Sequence, residues 1–259
     1  MGVESAKDKI IVALDVNGPQ AALEKAKKLA PHVGLFKLGL QFINSTLASL
    51  ITPEDPEIAM QNLIALRELF EIVGDKIFWD GKLHDIPNTI LNCVPPLAQM
   101  KVRMFNVHVS ADEAALREAA RKKGQSLAIG VTVLTSLSDA QCQIVYGAEP
   151  KTKVLQFAKT TFGCGLDGVV CSPQEVTFIR QEGGCASGLL LLTPGVRPEW
   201  AAVGDQKRVM TPKEAIEAGA DYLVIGRPIT DPPPEIGGPV AAAQKIAQEI
   251  AEGILGRDV

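Results

Sequence analysis

The chain has 259 residues, 46% of them hydrophobic, and a formal net charge of -4 at pH 7, with a pI near 5.5. That length and apolar share suffice for one substantial core, and the acidic balance excludes broad binding to nucleic acid or to an anionic membrane, so any phosphate recognition has to be local. No apolar run reaches the length of a membrane span, residues 1–9 carry no secretory h-region, Ala6 stands where myristoylation needs Ser or Thr, and Cys93, Cys142, Cys164, Cys171 and Cys185 form no C-x-x-C pair; a cytoplasmic protein with reduced thiols and no zinc is expected.

Short β-rich runs alternate with helical patterns along the chain. Strands are expected at residues 10–15, 34–39, 76–82, 104–108, 126–133, 168–171, 188–193 and 222–225, and helices over 20–29, 112–123, 153–162, 212–218 and 240–254. Eight strands with intervening helices predict an α/β fold, a (β/α)8 TIM barrel formed as a single domain over residues 1–259. A doubly wound sheet is disfavoured, because the first strand ends in Asp15-Val16-Asn17 and not in a Gly-rich dinucleotide turn. Residues 51–60 read as an inserted loop, and residues 231–238 as a Pro-rich surface loop.

Barrel chemistry sits at the C-terminal ends of the strands. The first strand ends at Asp15, the second holds Lys37, the third Asp80 and Lys82, the fourth reaches His108, and the fifth runs into Thr132 and Thr135. An isolated Asp-x-Lys is most often a weak, solvated ion pair. Here Asp80 and Lys82, two apart in a strand, point to one face, and charged residues ending four apolar strands should meet at one mouth, where burial is tolerable only if the charges are paired. Asp85 lies past the strand in a turn stopped by Pro87, out of reach of that face and available to a neighbouring site.

The loops after strands seven and eight suit a phosphate. Gly226 exposes a backbone N–H and Arg227 offers a two-pronged guanidinium, while Pro194-Gly195-Val196-Arg197 and residues 204–208 supply a long connection. His84 reads as structural and His32 as surface. His108 either lines the mouth or simply closes its strand. The three histidines lack metal-ligand spacing.

Ala13-Leu14-Asp15, Phe36-Lys37-Leu38-Gly39, Asp80-x-Lys82-x-x-Asp85-Ile86-Pro87-Asn88-Thr89, Val131-Thr132-Val133-Leu134-Thr135-Ser136, Thr193-Pro194-Gly195-Val196-Arg197, Asp205-Gln206-Lys207-Arg208 and Ile225-Gly226-Arg227-Pro228-Ile229 occur in that order. Together they resemble the orotidine 5′-monophosphate decarboxylase family over roughly residues 8–255. The resemblance implies decarboxylation of orotidine 5′-monophosphate to UMP and CO2 in de novo pyrimidine biosynthesis, with no metal or other cofactor and with Lys82 protonating C6. It implies a homodimer in which Asp85 and Thr89 enter the partner's site. It implies Asp15 and Lys37 on the ribose hydroxyls, Lys37 also joining Asp80, Lys82 and the partner's Asp85 in the charged array. Thr135, or else Ser136, would meet the pyrimidine edge. Gln206, Arg227 and the Gly226 backbone would grip the phosphate, and residues 194–211, opening at Pro194, would close over it.

One departure is Gly81, where the family usually has a bulky apolar residue; weaker packing of the third strand is expected there. Two rival readings remain: a sibling phosphosugar decarboxylase or aldolase that uses a related Asp-x-Lys-x-x-Asp with Mg²⁺, and a non-catalytic uridine-nucleotide binder. The Ile86-Pro87-Asn88-Thr89 continuation argues against the first and the intact Lys82 array against the second.

Overall fold

The computed structural model describes residues 3–201 and 210–257. Strands β1 (Ile10–Ala13), β2 (Leu35–Gly39), β3 (Ile77–Leu83), β4 (Met104–His108), β5 (Leu127–Val131), β6 (Gly168–Val170), β7 (Leu190–Pro194) and β8 (Tyr222–Ile225) form a closed parallel barrel in chain order. β8 returns to β1 through the Ile10–Leu223 pairing, so no strand edge is left open among the described residues.

Helices α1 (Val3–Lys7), α2 (Pro19–Leu29), α3 (Leu40–Ile51), α4 (Pro56–Val73), α5 (Pro87–Gln99), α6 (Glu113–Lys122), α7 (Asp139–Tyr146), α8 (Pro150–Gly163), α9 (Val176–Glu182), α10 (Pro212–Glu217), α11 (Arg227–Thr230) and α12 (Pro239–Arg257) account for the described helical segments. None is long and apolar enough to cross a membrane. The five cysteines are free thiols.

Strand periodicity sorts the apolar side chains into two cores. Ile11, Ala13, Leu35, Phe78, Met104, Ile129, Leu192 and Val224 point inward and plug the barrel. Their neighbours in sequence, among them Val12, Phe36, Ile77, Phe105, Leu191 and Leu223, point outward into the helical layer. The same alternation carries Lys37, Asp80 and Asn106 inward, one step closer to the C-terminal mouth than the plug.

Two expectations need correction. Residues 51–60 are not an inserted loop: Ile51 ends α3, Pro56 opens α4, and Asp55 caps α4 by accepting a hydrogen bond from the Glu57 N–H at 2.8 Å. Pro87 does not stop a turn but starts α5, where its missing N–H costs nothing. Pro95 and Pro96 lie inside α5 and mask its helical periodicity in the sequence. The Pro-rich stretch at residues 231–238 contains only one short 3-10 turn, Pro234–Ile236.

Closure depends on small residues where strands crowd. A Cβ added to Gly168 would lie 2.5 Å from the Leu190 carbonyl oxygen and 2.8 Å from the Leu190 Cβ. Gly168→Val should therefore push β6 away from β7 and cost about 1–3 kcal/mol. Urea denaturation followed by circular dichroism checks this; an unchanged midpoint would show that the two strands separate without cost.

Candidate active site

Four charged side chains form an alternating chain across the barrel mouth. Lys37 Nζ lies 2.9 Å from Asp15 Oδ1 and 3.1 Å from Asp80 Oδ2, and Lys82 Nζ lies 2.6 Å from Asp80 Oδ1. Asp80 is the more buried of the two carboxylates, with 6% of its surface exposed. Burial works against charge on Asp80, but Lys37, Lys82 and the hydrogen bonds from Lys82 and Asn106 outweigh it and hold the carboxyl below its ordinary range. Burial likewise works against charge on Lys37; Asp80 and Asp15 more than offset it and leave the amine above the ordinary lysine value.

The chain of charges needs space that glycine provides. A Cβ at Gly39 would sit 2.8 Å from Lys37 Nζ and 3.4 Å from Asp15 Oδ1, so any larger residue would displace the ammonium group. The motif reading quoted Gly39 without giving it a role.

Asp80 and Lys82 meet, but not through a regular strand. The β3–β4 register shifts between Trp79 and Leu83, and Lys82 adopts φ +47°, a left-handed conformation that costs a lysine energy. Asn106 occupies the gap: its side-chain carbonyl accepts the Lys82 backbone N–H at 2.8 Å and its amide donates to Asp80 Oδ1 at 2.6 Å. The residue escaped the motif reading, although a polar side chain between Phe105 and Val107 in an apolar strand is a visible signal. The expected packing weakness at Gly81 is also corrected. A Cβ there would lie 2.9 Å from Trp79 Nε1, so the Trp79 indole takes the space of the missing side chain.

Two cavities share Lys37, Pro194 and Val224. One, of about 240 Å³, is bounded by Phe78, Val131, Val133, Thr135, Val170, Asp80 and Lys82. The other, of about 380 Å³, is bounded by Asp15, Gln41, Arg197, Gly226 and Arg227. An apolar chamber with an ammonium on its wall thus opens into a cationic one, an arrangement suited to a flat heterocycle joined to an anionic group.

Most sequence-assigned residues converge on these cavities: Asp15, Lys37, Asp80, Lys82, Thr135, Pro194, Gly226 and Arg227. Thr132 does not take part, because its buried hydroxyl donates to the Val170 carbonyl at 2.7 Å. Asp85 and Thr89 are exposed, and Asp85 accepts a hydrogen bond from the Ile86 N–H at 2.8 Å. Gln206 lies outside the described residues, as do Asp205, Lys207 and Arg208. The His84 and His108 rings approach to 5.3 Å. Burial, then His84 and Lys82, push the His108 pKa down and favour its neutral form, with Asp80 opposing.

The depressed Asp80 pKa links the site to acid stability. A carboxyl lowered on folding stabilises in full above its unfolded pKa and ceases to do so as pH falls through the folded value; a raised lysine such as Lys37 stabilises in full below the ordinary lysine value and ceases to do so as pH rises through the folded one. Asp80→Asn should lower stability by about 3 kcal/mol near neutral pH, because Lys37 loses its buried partner. Urea titrations at stepped pH should show the gap between the two proteins closing on the acid side of the carboxylate range. A gap that stays constant there would mean that Asp80 does not stabilise through its charge.

Comparison with known proteins agrees with the barrel fold. Residues 8–246 match the model of the Orotidine 5′-phosphate decarboxylase / HUMPS family. Curated relatives named orotidine 5′-phosphate decarboxylase include one from Moorella thermoacetica (strain ATCC 39073 / JCM 9320), 42% identical over 95% of this chain and 93% of the relative. Another, from Syntrophomonas wolfei subsp. wolfei (strain DSM 2245B / Goettingen), is 38% identical over 95% of this chain and 99% of its own. The crystal structure of orotidine 5′-phosphate decarboxylase from Lactobacillus acidophilus superposes with a TM-score of 0.73 at 29% identity, covering 93% of this chain and 98% of that one. With the barrel, the mouth charges and these likenesses in agreement, the chain belongs to the orotidine 5′-phosphate decarboxylase / HUMPS family.

Proposed function

We propose that the protein decarboxylates orotidine 5′-monophosphate to UMP and CO2 in pyrimidine biosynthesis, in the cytoplasm and without a metal or organic cofactor. The observation that carries this reading is the Asp15–Lys37–Asp80–Lys82 chain at the boundary between an apolar and an arginine-lined cavity. The pyrimidine occupies the apolar chamber with its edge at Thr135 or Ser136. Asp15 and Lys37 hold the ribose hydroxyls, and Arg227, the Gly226 backbone and Gln206 hold the phosphate. The family model includes the HUMPS branch; relatives at 38–42% identity bear the decarboxylase name, which favours the nucleotide over a phosphosugar.

Decarboxylation breaks the bond from C6 to its carboxylate, releases CO2 and leaves the electron pair on C6. Lys82 stabilises that charge and delivers a proton to C6, giving UMP. The fixed Asp80 carboxylate orients the Lys82 ammonium, and the apolar walls make this electrostatic contact stronger than it would be in water. Gripping a phosphate remote from C6 supplies binding energy to close residues 194–211 and exclude water.

A homodimer completes the site. Asp85 and Thr89 are exposed at the start of α5, beside Ile86 at 65% exposure, and α3 and α4 present Leu40, Leu47, Ile51, Met60 and Ile64 to solvent. An apolar surface of this kind suits a second copy of the chain, which would bring Asp85 and Thr89 to the neighbouring site.

The purified protein in EDTA should remove the ultraviolet absorbance of orotidylate and form UMP. Lys82→Ala should lower turnover by at least about 10³-fold while still binding UMP, since general-acid and electrostatic contributions both vanish. No conversion by the wild type, with activity on a phosphosugar restored by Mg²⁺, would assign the chain to the sibling enzymes instead. Mixing inactive Lys82→Ala and Asp85→Ala proteins should restore about a quarter of the wild-type activity, because random exchange in a symmetric dimer leaves that share of sites intact. No recovery after demonstrated subunit exchange would place Asp85 outside the partner's site.

A further inference from the structure

The junction of β3 and β4 contains a buried amide that the proposed chemistry does not use. β3 presents Asp80, Gly81 and Lys82 between the Trp79–Phe105 and Leu83–Val107 pairings, where β4 presents only Asn106. A ladder cannot pair three residues with one, so this part of β3 bulges and Lys82 turns to φ +47°. Its N–H then needs an acceptor that no strand carbonyl in that register provides. Asn106, 1% exposed, supplies it from its side chain and uses the other half of the same amide on Asp80 Oδ1. The two partners fix which end is which, since an N–H demands the carbonyl oxygen and a carboxylate demands the NH₂. From the outer side, the Trp79 indole lies against Gly81 and fills the space over the bulge.

We propose that Asn106 is a positioning residue for Lys82: its planar amide spans the bulge, ties the lysine backbone to the carboxylate that orients its ammonium, and so aims Nζ at the apolar chamber. This rests on the decarboxylase reading for the identity of the reaction, but not for the geometry. Asn is the one residue type of this size that accepts and donates from a single rigid group. An ionised Asp at 106 would accept from Lys82 but face Asp80 with a second negative charge. Leu would do neither. The other titratable groups around the amide are Lys37 and Lys82, paired with Asp80, and His108 and His84, which flank Lys82.

The test compares wild type, Asn106→Leu and Asn106→Asp in the full chain. Asn106→Leu should lower kcat about a hundredfold, the scale of a misplacement near 1 Å, with KM for orotidylate within about threefold and UMP binding retained. Asn106→Asp should be similarly slow near neutral pH but regain kcat relative to wild type as pH falls, because a protonated carboxyl at 106 again donates to Asp80. Independently of activity, carbon-13 titration of the Asp80 carboxyl should move upward in Asn106→Leu, which has lost a donor to the carboxylate. A folded Asn106→Leu with kcat within about threefold of wild type, or an Asn106→Asp profile parallel to wild type, would overturn the proposal. If Asn106→Leu does not fold, the Asn106→Asp profile decides. If the wild type does not decarboxylate orotidylate, the function reading fails and the carboxyl titration alone decides on Asn106: an upward shift in Asn106→Leu, or in Asn106→Ala where the leucine variant does not fold, supports the tether, and no shift overturns it.

Discussion

The Asp80 carboxylate is the interaction around which the mouth of the barrel is organised. One oxygen meets Lys37 and the other meets both Lys82 and the Asn106 amide. A carboxylate this deep is tolerable only because each oxygen is satisfied, and two lysines this close are tolerable only because the carboxylate separates them. Removing Asp80 leaves the mostly buried Lys37 with only Asp15 as an ion-pair partner among the described residues. The stability of the mouth therefore draws on these contacts, and the left-handed backbone at Lys82 is a local cost that the surrounding barrel sustains.

The barrel supplies what a loop could not. Eight short parallel strands lock their inward side chains into a packed plug, and the next inward positions toward the mouth inherit that rigidity. Lys37, Asp80 and Asn106 sit at those positions on three consecutive strands. Their separations are set by strand spacing and not by the rotamer freedom of long side chains, which suits catalysis by preorganised charge. The arginine-lined cavity, by contrast, takes Gly195 and Arg197 from beyond β7 and Gly226 and Arg227 from beyond β8, outside the packed plug.

Asp85 and Thr89 stand apart from the mouth charges. Both belong to the same motif as Asp80 and Lys82, but Pro87 launches α5 and carries them out to the surface next to exposed apolar side chains. The distance follows from chain geometry: after Leu83 the backbone leaves the sheet, and no strand periodicity returns it to the mouth.

Much of this was legible in the residues themselves. Period-two alternation, polar residues ending apolar runs, and an eightfold strand rhythm identify the barrel and place Asp15, Lys37, Asp80 and Lys82 at one mouth, because side-chain direction in a strand is a local property. Residues 51–60, where α3 ends and α4 begins, read as a loop and the two helices give no clear signal, since their exposed apolar residues blur the amphipathic pattern that marks a surface helix. The bulge, the left-handed Lys82, the Asn106 tether and the filling of Gly81 by Trp79 were not legible at all. Each depends on the register of one strand against another, a relation between residues distant in sequence. By itself the sequence determined which groups can carry charge and toward which face they point; only the tertiary structure decided which of them touch, because hydrogen bonds and ion pairs are settled by strand register and packing to within fractions of an ångström.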